Sequence, residues 1–244
     1  MANTHDSEEL TQQWSKLGDK KVDFENMNDG LLNFCLSHGY KGEDYGMKSS
    51  KEDLEWLKNV FDNIESDAKI MYNILERCDK FLTQTKKNEQ TEFTEEQIID
   101  QLEYLVELVE SIDNANDFIK MNGQYELIRI LTESTNENML FNAWWILQAI
   151  VQNNPVGQKA IFESSAIMFL LKEQIEKYDV ESKVLFKIVC FICAFVTESE
   201  EIQQFVSQEL FVKKYKEILE KGEMKIKDRL EYTLNKFNKK PFEF

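Results

Sequence analysis

From Thr94 onward, apolar residues return at the spacing of one helix face. Thr94 and Gln97 form a capping box, and Ile98, Leu102, Leu105, Leu108 and Val109 follow on a single stripe. Upstream, the same period predicts a helix opening at Ser50, with Asp53 placed to satisfy first-turn amides and Leu54, Leu57, Val60 and Phe61 inward. A further helix is expected from about Asp67 to Leu82, and GLLNFCLSHGY (30–40) reads as a short apolar helix. Residues 83–96 are polar without a periodic face and read as a linker. Residues 1–28 are polar, acidic and unpatterned apart from Trp14, as a flexible tail is. The expected organisation is an acidic tail (1–28), a helical capping segment with its linker (29–93), helical repeats (94–238) and a short C-terminal tail (239–244).

The repeats show in the positions themselves. Phe118, Ile161 and Phe205 occupy matching places, 43 residues apart (118 to 161) and then 44 (161 to 205). Leu127, Leu170 and Tyr215 follow one helix later, and Leu108, Val151 and Phe195 precede them with the same steps. A period of this length, filled by a short, a medium and a long helix, is that of armadillo or HEAT stacking, where each unit buries its apolar face against the next. The fold class is therefore all-α, an armadillo/HEAT-like solenoid with an N-terminal helical cap. The long third helices are expected at about 96–112, 137–153, 180–197 and 224–237. In such stacks they line the face that holds a partner. Trp144 and Trp145 are adjacent on one of them and point about 100° apart, so one belongs to the core and the other to that face.

Composition narrows the function classes. Of 244 residues, 29 are Lys or Arg and 45 are Asp or Glu, a net charge of −16. Such a chain repels phosphate backbones and anionic lipid, so neither nucleic acid nor a membrane is an expected partner. The opening MANTHDSEEL has no signal-peptide pattern, and the most apolar run, 184–196, is too short to span a bilayer. Cys190-x-x-Cys193 and Cys35-x-x-His38 have metal-ligand spacing, but Phe191 and Ile192 between the first two suit a buried helix, and no metal site is expected. With His5 and His38 the only histidines, and no phosphate-binding glycine motif, no catalytic residue or cofactor is expected either.

The wording of several segments resembles a known family. LVELVESIDNANDFIKMNG (105–123), NAWWILQAIVQNNPVGQ (142–158) and VESKVLFKIVCFI (180–192) are similar to the armadillo-type nucleotide exchange factors of heat-shock protein 70, as are GLLNFCLSHG (30–39) and MKSSKEDLEWLKNVF (47–61) in the same order. The resemblance implies a co-chaperone that curves around the outer lobe of the chaperone's nucleotide-binding domain and promotes ADP release. It also implies a cytoplasmic protein, since the secretory branch carries a signal sequence; a monomer is expected. The chain departs from the pattern at Glu181, where a basic residue is expected, and at the bulkier Trp145.

The expected partner-binding residues are Asp113, Asn114, Ala115 and Asn116 at a repeat corner, together with Asn142, Lys183 and Arg229 near the starts of long helices. Asn and Asp also cap helices and turns, so the corner has a structural reading of equal weight. Asn153 and Asn154 are expected to cap the helix at Pro155. The alternative function is an armadillo adaptor that binds a peptide or protein without exchange activity. Its usual groove needs Trp and Asn at repeated ladder positions, a pattern that Trp144 with Gln148 imitates once.

Overall fold

The computed structural model describes residues 66–196 and 199–237. The expectations for the tail at 1–28, the helices near 30–40 and 50–61, the Cys35/His38 spacing and the C-terminal tail at 239–244 lie outside these residues. Among the described residues there are eleven helices and no strand. In chain order they are α1 (Asp67–Lys86), α2 (Glu95–Val109), α3 (Ile112–Lys120), α4 (Gln124–Glu133), α5 (Glu137–Val151), α6 (Pro155–Glu163), α7 (Ser165–Lys177), α8 (Lys183–Phe195), α9 (Glu200–Val206), α10 (Glu209–Lys221) and α11 (Met224–Leu234). None of them is long and apolar enough to cross a membrane.

Local chemistry sets the ends of these helices. The predicted capping box is present: the Gln97 amide donates to Thr94 Oγ1 at 3.2 Å and the Thr94 amide to Gln97 Oε1 at 2.9 Å. Asn136 Oδ1 accepts from the amides of Asn138 and Met139, and Ser182 Oγ from Val184. Asn154 caps α6, accepting from the Gly157 amide at 3.2 Å, while Asn153 before it turns the chain at φ 53°. A Cβ on Gly157 would stand 2.3 Å from the Ile150 carbonyl oxygen, so only glycine lets α6 start this close to α5. Helix α1 runs four residues past its expected end, to Lys86, and stops where Asn88 takes φ 55°.

The helices pack in rows. Third helices α2, α5, α8 and α11 lie each against the next, as do second helices α1, α4, α7 and α10 and first helices α3 and α6. One continuous apolar core runs between the rows. Helix α1, which the sequence reading placed in the capping segment, stands in the second-helix row beside α4.

The repeat register holds in its middle and slips by one at its edges. Leu127, Leu170 and Tyr215 are all buried. In the last short helix, however, Val206 is fully buried and Phe205 only half, so Val206 is the equivalent of Phe118 and Ile161. Val109, likewise, is the buried last residue of α2, matching Val151 and Phe195, whereas Leu108 is half-buried.

Polar ties join the second helices. Arg129 on α4 binds Asp79 and Thr83 on α1 and Glu126 and Glu133 on its own helix. Buried Gln174 on α7 accepts from Trp144 Nε1 at 2.8 Å and donates to the Leu131 carbonyl of α4 at 2.8 Å. Lys214 on α10 donates to the Tyr178 carbonyl at the end of α7 at 2.9 Å and pairs with Glu217 at 2.9 Å.

Candidate functional site

The corner at Asp113–Asn116 belongs to the first turn of α3. Asn114 donates to the Leu108 carbonyl at 3.0 Å, satisfying an end group of α2, and to Asp67 Oδ2 of α1 at 2.9 Å. Asn116 Oδ1 accepts from Asn154 Nδ2 of the next repeat at 3.1 Å. Ala115 is 1% exposed and packs in the core. The expectation that Ala115 contacts the partner is therefore corrected. Ala115 is small because α3 closes on its neighbours there. Asp113 alone of the four is exposed.

The outer face of the third-helix row is built differently. On α5, Phe141, Trp145 and Gln148 recur at steps of four and three residues, with Gln152 four further on in the turn after the helix. On α8 the same steps pick out Lys183, Lys187, Cys190 and Ala194, and on α11 they pick out Lys225, Arg229 and Tyr232, with Lys236 in the turn beyond. Such spacing keeps the helical members of each set on one side of their helix. Two cavities open along these stripes. One, of about 360 Å³, is lined by Glu110, Ile112, Trp145, Gln148, Ala149, Gln152 and Asn153. The other, of about 200 Å³, lies among Gln148, Gln152, Cys190, Cys193, Arg229, Tyr232 and Lys236.

Lysine and aromatic side chains interleave here. The Lys187 ammonium lies 4.1 Å from the Trp145 ring centroid and 4.9 Å from that of Phe141, whose ring meets Trp145 edge-on. Lys225 covers Phe186 at 4.6 Å and Lys236 covers Tyr232 at 5.1 Å. Lys187 is 7% exposed, yet its ammonium finds only Gln148 Oε1, at 3.4 Å, besides those rings. Among the described residues no carboxylate pairs with Lys187, Lys225, Arg229 or Lys236, although pairs form elsewhere on the surface. Burial pulls the Lys187 pKa below its ordinary value, and Arg229 and Lys225 nearby push it further down. Burial also raises the Cys190 thiol, against the pull of Lys187 and Arg229, so this is not an activated cysteine.

The remaining predicted residues divide. Arg229 is exposed beside the second cavity, and its neighbourhood raises its pKa despite partial burial, chiefly through a hydrogen bond with Cys193. Lys183 is exposed and reaches across to Asn138 Oδ1 at the start of α5. Asn142 is corrected: it is 2% exposed, inside the α5 packing, with Oδ1 unpartnered. Trp144 is fully buried and Trp145 faces outward, as adjacency on one helix required. A buried Trp144 cannot serve as a rung of a peptide ladder. Sequence reasoning missed Lys187, Tyr232 and Lys236, and took Gln148 only as a lone ladder position beside Trp144. The available signal was the shared four-three-four spacing, and a single lysine within the apolar run of α8.

Comparison with known proteins points to one class. The family described as nucleotide exchange factor Fes1 matches residues 4–118. An 84-residue stretch, 33% of this chain, is 34% identical to the Hsp70 nucleotide exchange factor fes1 of Schizosaccharomyces pombe and spans 29% of that protein's length. Both matches bear out the resemblance, and the family match covers 30–39, 47–61 and most of 105–123 among the segments quoted above. The family match ends within α3, so Trp145, Lys187 and Arg229 lie beyond it.

Proposed function

We propose that this chain is a nucleotide exchange factor of heat-shock protein 70, binding the chaperone's nucleotide-binding domain through the outer face of its third-helix row and promoting ADP release. The match to exchange factors over residues 4–118 is the observation that carries this reading. The face supports it: two cavities, half-buried aromatic rings and cations without counter-charges lie along one row. Lys183 and Arg229, with Trp145 and Lys187, make the contact, and Asp113 touches the partner at the row's edge. The protein works as a cytosolic monomer, with no catalytic residue and no nucleotide of its own. Its binding favours a lobe arrangement that holds ADP poorly, so protein and ADP weaken each other's affinity for the chaperone by the same factor.

The test is the loss of labelled ADP from heat-shock protein 70 as this protein is added. Acceleration that saturates with a one-to-one complex is expected, with binding tightest to the nucleotide-free domain. A coupling of about 1–3 kcal/mol gives roughly 5–150-fold between nucleotide states. Equal affinity in all nucleotide states leaves an adaptor that docks without exchanging.

A further inference from the structure

The charges of the third helices change sign along the row. Helix α2 carries Glu95, Glu96, Asp100, Glu103 and Glu107 and no lysine or arginine. Helix α5 carries Glu137 alone. Helix α8 carries Lys183 and Lys187 and no carboxylate. Helix α11 carries Lys225, Lys227 and Arg229 against Asp228 and Glu231, and its outward stripe, Lys225, Arg229 and Tyr232 with Lys236 in the turn after it, has cations and no carboxylate. In a chain of net charge −16 this end of one face is a local inversion.

The inversion is maintained at a cost. Lys187 is nearly buried with no carboxylate beside it, and Arg229 and Lys225 are close enough to disfavour its charge. A buried cation without a counter-ion destabilises the fold that holds it. Aromatic rings on one side and a single amide oxygen supply only part of the missing hydration. The 200 Å³ cavity between α5, α8 and α11 is lined by Arg229 and Lys236, with Gln148, the amide that Lys187 meets, on its wall, and it leaves room for an arriving carboxylate.

We infer that the α8–α11 end of this face is a receptor for an acidic protein surface, whose carboxylates seat among Lys187, Lys225, Arg229 and Lys236. Because α2 at the far end is wholly acidic, the same partner turned end for end meets like charges at both ends. The gradient therefore sets the partner's direction along the row as well as its position. This deepens the proposed function and rests on it for the partner's identity. The surface chemistry itself rests on the residues above.

Two measurements test it. In the first, amide and indole resonances of the full chain are followed at low salt during addition of a hexaglutamate peptide. The expected result is saturable movement of the Trp145 indole and of α8 and α11 amides, lost in high salt. Hexalysine is expected to move α2 amides instead. No movement, movement spread evenly over the chain, or the same movement with inorganic phosphate at equal concentration overturns the inference; the last describes a general anion sink. In the second, the isolated nucleotide-binding domain of heat-shock protein 70 is titrated with wild type and with the Lys225→Glu/Arg229→Glu variant, both residues being exposed. A loss of roughly 30-fold or more is expected, with an unchanged melting curve. Unchanged affinity beside normal ADP release sinks the inference and leaves the exchange reading standing. A normal hexaglutamate response beside absent ADP release does the reverse.

Discussion

Lys187 and Lys214 are equally hidden, each 7% exposed, and they have opposite surroundings. Lys214, in the second-helix row, gives its ammonium to the Tyr178 carbonyl and to Glu217. Lys187, in the third-helix row, has two rings and one distant amide oxygen. The corner at Asn114 and Asn116 follows the first pattern, its donors and acceptors used up between neighbouring repeats. Burial thus fails to separate these two lysines, and charge compensation separates them. The paired ammonium of Lys214 helps hold the stack together, while the uncompensated charge of Lys187 lies on the face proposed to bind a partner.

Variants can break that distinction, and the corner gives the largest effect. Ala115→Arg forces a long cation into a site 1% exposed, and a loss of roughly 3–5 kcal/mol is expected in chemical denaturation. A variant that melts like wild type but no longer binds would return the corner to the interface. Lys214→Met comes next. It strands the Tyr178 carbonyl and Glu217, and about 1–3 kcal/mol should be lost with no change in affinity for the chaperone domain. Lys187→Met is the sharpest contrast, since replacing an uncompensated cation by an apolar chain of similar length should leave stability unchanged or raise it by about 1 kcal/mol while weakening binding. A large destabilisation by Lys187→Met, matching that of Lys214→Met, would erase the difference between the two rows.

Much of this was legible in the sequence, for a physical reason. Helices make their backbone hydrogen bonds locally, so caps such as Thr94/Gln97 and the apolar period announce them without tertiary knowledge. The slip at Phe205 and Val206 was not legible. Helix α9 opens from N-cap Ser199, one residue later than the Asn154–Ile161 spacing would place it before Phe205, so Val206 takes the buried seventh position. The corner's role depends on partners at Asp67 and Asn154, far along the chain, and no local pattern carries that. Lys187 was hidden by its company, because one lysine among VLFKIVCFICAF looks like a surface residue at the margin of a core helix. Its isolation from carboxylates shows only once α5 and α11 are beside it.

The smallest expected effect tests the same contrast by pH. A hydrogen bond from Lys214 is the main reason that the Glu217 carboxyl sits below its ordinary 4.5. A depressed folded-state pKa gives stability that is present above the ordinary value and lost as pH falls through the folded one. Glu217→Gln should therefore melt slightly below wild type at neutral pH, and the gap should close on acidification below about 4.5. The effect is small because the Glu217 side chain is partly open to solvent, which screens the pair. A gap that persists in acid would mean that the charge of Glu217 contributes nothing.

The ties between second helices bear on how the stack comes apart. The polar tie of α1 to α4 is ionic, through Arg129 with Asp79 and Lys86 with Glu133. The joint of α4 to α7 is a neutral amide, Gln174, shielded from solvent, and that of α7 to α10 adds a lysine bound to a carbonyl. Salt screens exposed charges far more than a buried neutral amide. Rising ionic strength should then loosen the joint of α1 to α4 while the Gln174 joint keeps its grip. Added salt would thus select the joint at which the stack opens, as protection of α1 amides from hydrogen exchange would record.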